Sequence, residues 1–268
     1  MWKPKSINPF LLCFALCLGV ALFCSWQIIN WYQSVSTSNE ILNEVRSSAV
    51  IVDSVVTPLK GASFQSDPQP APSPYLSVNF TELKQRNNDI MAWLKLDSAK
   101  IDMPIVQTTD NAFYLTHNLD KKSSNLGWVF ADVRSSVEHL GFNTVLYGHN
   151  AVSGQMFGSL KSLLHTDFIV DPEAKFLQFT TPTQKMRFEI VSVFKTDESD
   201  YKYTSQVFID EAEREAFVQY IQHKNLVATL AQTTLSPIDT FLTLSTCHGP
   251  AGTSNRLAIV AKLISVES

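Results

Sequence analysis

One cysteine stands apart from the other three. Cys13, Cys17 and Cys24 fall within an apolar N-terminal run, where a cysteine is a small polarizable helix residue. Cys247 is alone in the rest of the chain. A domain outside the cytoplasm normally pairs its cysteines or lacks them, so a lone thiol points to a reactive group or an intermolecular bridge. Asp239 to Cys247 has strand composition. Alternation puts Phe241, Thr243, Ser245 and Cys247 on one face, with Leu242, Leu244 and Thr246 on the other. The thiol therefore ends a face that turns polar, just before His248-Gly249-Pro250, which must turn. A strand end is accessible yet held by rigid scaffold.

A free thiol has a pKa of about 8.5 and the thiolate is the nucleophile, so Cys247 needs a partner. The chain offers six histidines. His149 closes Val145-Leu146-Tyr147-Gly148-His149-Asn150, the end of a second apolar strand, where Gly148 permits close approach. Two strand ends of one sheet bring such side chains together. His248 is adjacent to Cys247, but consecutive residues of extended chain point apart. His139 and His223 read as solvated surface residues. Cys247, His149 and His248 could be written as a metal site, yet no C-x-x-C or H-E-x-x-H spacing supports one, and neither metal nor cofactor is expected. Acyl transfer also needs a donor at the developing oxyanion. Arg256 opens the strand Arg256–Val266, and a hairpin through Gly249–Asn255 returns it close to Cys247.

The elements that must position these groups are short. Ile101–Val106, Gly127–Asp132, Thr144–Tyr147, Lys175–Phe179 and Met186–Phe194 join the two strands above, each β-rich and bounded by turn residues. Asn79–Leu94, Met156–Leu164 and Asp210–His223 have helical patterns, the last with acidic residues at its start. A mostly antiparallel barrel or sandwich with a few helices follows.

Ahead of this domain, Phe10 to Ile29 is almost wholly apolar, and no charge occurs between Lys5 and Glu40. Twenty helical residues span about 30 Å, the thickness of a bilayer core. Trp26, Trp31 and Tyr32 suit the interface, and Lys3 and Lys5 place the N-terminus in the cytoplasm. The run is too long for the core of a cleaved signal peptide. The expected organisation is a cytoplasmic segment over 1–9, a membrane anchor over 10–31, a helical stalk over 32–60, a Pro-rich linker over 61–75 and a catalytic domain over 76–268. A net charge of −4 without a basic field gives no expectation of a nucleic-acid partner.

Thr243-Leu244-Ser245-Thr246-Cys247, followed by Arg256 and Leu257-Ala258-Ile259-Val260-Ala261-Lys262, resembles the sortase signature. Asn143-Thr144-Val145-Leu146-Tyr147-Gly148-His149 resembles the sortase histidine segment. Their separation is similar to that of class B members, as are Trp93–Leu96, Ile101–Gln107, Phe113–Asn118 and the late helix. The resemblance spans about residues 75–266. It implies a mainly β, closed sortase barrel with peripheral helices, and a Cys247–His149–Arg256 site. Cys247 would carry a thioacyl intermediate, His149 would exchange protons with the departing and incoming amines, and Arg256 would hold the oxyanion. Ser245, Thr246 and Tyr147 are expected to contact substrate, and His117 to be structural. The implied reaction cuts a secreted protein's C-terminal sorting signal after Thr and joins the acyl group to an amine of the cell-wall precursor. A pilin lysine is the alternative acceptor, and a non-catalytic tethered binding module the alternative of another class. One departure is that His248 stands where some class B members carry an acid just after the cysteine.

Overall fold

The computed structural model describes residues 9–51, 75–165, 169–247 and 253–267. In chain order its elements are α1 (Pro9–Ala49), β1 (Val50–Ile51), β2 (Ser77–Val78), α2 (Phe80–Arg86), β3 (Ile90–Leu96), β4 (Ile101–Val106), β5 (Phe130–Ala131), β6 (Asn143–Tyr147), β7 (Phe176–Thr180), β8 (Lys185–Asp197), α3 (Glu211–Lys224), β9 (Phe241–Cys247) and β10 (Asn255–Glu267). The last eight strands close a barrel in the order β10-β8-β7-β3-β4-β5-β6-β9. Two contacts, β4 with β5 and β6 with β9, are parallel, and the others are antiparallel.

Alternation sorts the barrel residues into two cores. Leu242, Leu244, Leu257, Ile259 and Ala261 point inward, with Phe179 and Phe188. Phe241, Ala258 and Val260 point outward and pack under Phe217, Val218 and Ile221 of α3. Strand β9 and the Leu257–Ala261 stretch of β10 are thus buried on both faces. Asp210 caps α3 by accepting from Glu213 N–H, as the acidic start of that segment suggested.

Two sequence expectations are corrected. The helix read over Asn79–Leu94 is only the two turns of α2. Asn87 adopts extended backbone (φ −152°) and its side-chain oxygen accepts from Asp89 N–H, which breaks the helix. Ile90, Ala92, Trp93, Leu94 and Leu96 then form β3, buried on both faces. A doubly buried strand loses the period-two signal that marks an exposed one. The strand read over Gly127–Asp132 is reduced to Phe130–Ala131, which bridges Val106 and the β6 end.

The apolar run and the start of the expected stalk form one helix, α1, of 41 residues. Its first half is exposed, Phe10 to Ile29 included. Its second half lies on the domain: Ser38, Ile41, Leu42, Val45 and Ala49 are buried, the apolar ones with the spacing of one helical face. Arg46 Nε donates to the Asp102 carbonyl (2.8 Å), and Arg86 bridges Glu44 and Asp120. Residues 1–8, 52–74 and 268 lie outside the described residues, and with them most of the cytoplasmic segment, the end of the stalk and the Pro-rich linker.

Candidate active site

The site is assembled where β6, β9 and β10 end together. Cys247 lies directly opposite Arg256 in the antiparallel β9–β10 pair, a pairing that sets Cβ atoms about 5 Å apart. Tyr147 lies level with Ser245 in the parallel β6–β9 pair, and Gly148 N–H donates to the Ser245 carbonyl (3.2 Å). His149 follows two residues after Tyr147, just beyond the last paired residue of β6. All three side chains line one pocket of about 390 Å³ on the outside of the barrel.

Each member is held by its neighbours. A Cβ on Gly148 would stand 2.9 Å from the Phe157 ring and 3.0 Å from Val129, so any larger residue before His149 must push one of them aside. The His149 Nε2–H donates to the Leu115 carbonyl (2.8 Å), and Nδ1 has no hydrogen-bond partner among the described residues. Leu115 ends a short turn that is pinned through buried Tyr114, whose hydroxyl donates to Asp89 (2.8 Å). Gly127 (φ +56°) lets the chain pass there, since a Cβ would collide with the Tyr114 carbonyl. Arg256 Nη2 donates to Glu198 (2.6 Å), and Nη1 to the carbonyls of Thr253 and Asn255. Asp197, next to Glu198, accepts from the Ser254 and Ser199 hydroxyls, which hold its carboxyl down at about 2.

The residues expected to meet substrate are placed differently from one another. Ser245 is buried at the pocket, its hydroxyl 3.2 Å from that of Tyr203. Tyr147 donates its hydroxyl to Asp132 (3.0 Å), and burial with that carboxylate raises it well above the usual phenol range. Thr246 borders the pocket, but its hydroxyl is sealed from solvent and has no partner among the described residues. His117 stacks on Phe113 at 4.1 Å and is not among the residues that line the pocket. His139 and His223 are exposed, and His248 lies outside the described residues.

Several pocket residues carried no sequence signal. Asp132 is fully buried, and burial alone would raise its carboxyl. Hydrogen bonds from Arg134 and Tyr147 outweigh this and bring it to about 2. Asn111, Arg134, Glu198, Tyr201 and Tyr203 also line the pocket. Glu198 is the informative omission: it gives Arg256 a carboxylate from the end of β8, far in sequence from the position after Cys247. Its only hint was an acidic cluster, Asp197 to Asp200, at a strand end. Among the described residues no His, Cys, Asp and Glu group is arranged to hold a metal.

Residues 94–264 match the family model described as the sortase domain. The chain is 27% identical to sortase B of Listeria monocytogenes over 249 residues, 92% of this chain and 93% of that protein. It is 29% identical to sortase B of Staphylococcus aureus, over 72% of this chain and 77% of that one. Among solved structures, sortase B from B. anthracis in complex with AAEK1 superposes with a TM-score of 0.69 at 28% identity, covering 87% of this chain and 99% of that one. The S. aureus sortase B–substrate complex superposes with a TM-score of 0.64 at 27% identity, over 69% and 84%.

Proposed function

The chain belongs to the sortase family of cysteine transpeptidases, in its class B branch, and on that premise we propose that it anchors secreted proteins to the cell wall through Cys247, His149 and Arg256. The single observation that carries the proposal is that Cys247, His149 and Arg256 line one pocket, with Arg256 directly across from Cys247 in the β9–β10 pair.

The reaction follows from the groups present. The Cys247 thiolate attacks the carbonyl of the Thr that precedes the scissile bond of a sorting signal. The Arg256 guanidinium, oriented by Glu198, stabilises the oxyanion. The C–N bond breaks as the departing amine takes a proton from His149 Nδ1, leaving a thioester on Cys247. An incoming amine of the wall precursor gives its proton back to His149 and attacks the thioester. The C–S bond breaks and the thiolate returns. Ser245 and Tyr147 form the floor and flank of the substrate groove, and Thr246 supports it from beneath. The exposed half of α1 is the single membrane span, with the N-terminus inside and the catalytic domain outside. This reading is supported by its apolar, charge-free composition and its exposed side chains.

The test is mass spectrometry of the full chain with a panel of sorting-signal peptides. An acyl adduct is expected on Cys247, absent in Cys247→Ala. Arg256→Ala should lower kcat by on the order of a hundredfold, as loss of one oxyanion donor does. Supplying triglycine, a lysine-bearing peptide or water alone separates wall anchoring, pilin polymerisation and hydrolysis by product mass. Turnover undiminished in Cys247→Ala would remove the proposal.

A further inference from the structure

The clamp between α1 and the domain creates a second polar site, at a depth fixed by the helix. Asn30 directly follows the apolar run, and Thr37 lies seven residues on, roughly 10 Å along the axis. A bilayer's polar layer is roughly 5–8 Å deep on each side, from a total of about 40–45 Å and a core of about 30 Å. Trp31 and Tyr32 are exposed at the same level, where aromatic rings favour the interface. Facing this stretch is the loop between Asn118 and Asn125. Together they enclose a cleft of about 390 Å³, lined by Asn30, Gln33 and Thr37 of the helix and Lys122, Ser123 and Asn125 of the loop.

The lining is all amide, hydroxyl and ammonium, with no carboxylate. Two acids on the loop side are engaged elsewhere: Asp120 with Arg86 (2.6 Å) and Asp89 with Lys121 (2.9 Å). Lys122 makes no ion pair among the described residues. The loop is also pre-shaped. Asn118 Oδ1 accepts from Asp120 N–H and Lys122 N–H (both 3.0 Å), Lys121 sits at φ +59°, and Asn125 N–H reaches Ser34 Oγ (3.4 Å). A cleft of hydrogen-bond donors around one uncompensated ammonium suits a phosphate diester. At this depth the phosphate diester at hand is that of a lipid.

We propose that the cleft between α1 and the 118–125 loop binds the headgroup of an anionic phospholipid, with Lys122 as its cation. The consequence is positional. The contact ties the domain to the bilayer at a second point beside the helix, and so fixes which way the catalytic groove faces. The proposal rests on α1 being a membrane span. It is tested with the full chain in nanodiscs of phosphatidylcholine alone, in nanodiscs containing one-quarter phosphatidylglycerol, and in detergent micelles, by following hydrogen–deuterium exchange of segment 118–125. Exchange should be at least threefold slower with phosphatidylglycerol than in either other medium. Lys122→Glu should abolish the difference while cleaving a soluble peptide at the wild-type rate, which shows that it folds. Equal exchange in all three media, with residues 10–29 still protected, overturns the headgroup site alone. Release of the chain from liposomes by alkaline carbonate overturns the membrane-span reading beneath it.

Discussion

At the residue scale, the pocket contains two carboxylates with opposite exposures and opposite duties. Glu198 is 66% exposed and restrains Arg256 from the solvent side. An exposed ion pair contributes at most about 1 kcal/mol. Glu198→Gln should therefore lower kcat/KM by no more than about fivefold, and the loss should shrink in high salt. A steady-state assay at two ionic strengths checks it, and a hundredfold loss would assign Glu198 a direct part in the chemistry. Asp132 is sealed beneath Arg134 and Tyr147. Its folded-state carboxyl lies at about 2, below its ordinary 3.8. The stabilisation this supplies is complete above about pH 5 and disappears as pH falls through 4 towards 2. It is on the order of 1–2 kcal/mol once the exposure of Arg134 is allowed for. Urea midpoints from pH 6 to 3 should fall further for the parent than for Asp132→Asn, which has already lost that share.

At the element scale, the active groups depend on strand ends that cannot shift independently. Gly148 is the joint between β6 and His149, and its missing side chain is filled by Phe157. Gly148→Ala should destabilise the domain by about 1–3 kcal/mol through overpacking. It should also lower kcat/KM at least tenfold, because the displaced backbone carries His149 with it. Adding Phe157→Leu, which vacates the contested space, should restore part of both losses in denaturation and turnover assays. A single Ala variant with parental kinetics would mean that His149 tolerates a shifted backbone.

At the scale of the whole molecule, α1 is both the apolar segment and a wall of the folded domain. Ile41, Leu42, Val45 and Ala49 join the same core as the barrel interior. Each of the larger ones contributes on the order of 1.5–3 kcal/mol by leaving water. Val45→Asp, which buries a charge with no partner, should cost about 3 kcal/mol or more. That corresponds to a fall in Tm of roughly 6–12 °C for a domain of this size. Differential scanning calorimetry of the full chain measures it, and an unchanged Tm would mean that the docked half of α1 detaches without cost.

The family and the candidate site could be read from sequence because reactive residues obey local rules. A lone thiol closing an alternating strand, a histidine after a glycine closing another, and an arginine after a short loop are patterns within ten residues. The faces assigned to Phe241 through Cys247 were right for the same reason, since side-chain alternation is a property of the strand itself. Tertiary structure decided what depends on neighbours distant along the chain. β3 and the end of α2 were misread because burial on two faces erases periodicity. Asp132 and Glu198 were invisible because a carboxylate's role is set by the cation the fold brings beside it. The docking of α1 onto the barrel was likewise beyond local pattern: amphipathic spacing says that a face will be buried, but only the assembled surface says against what.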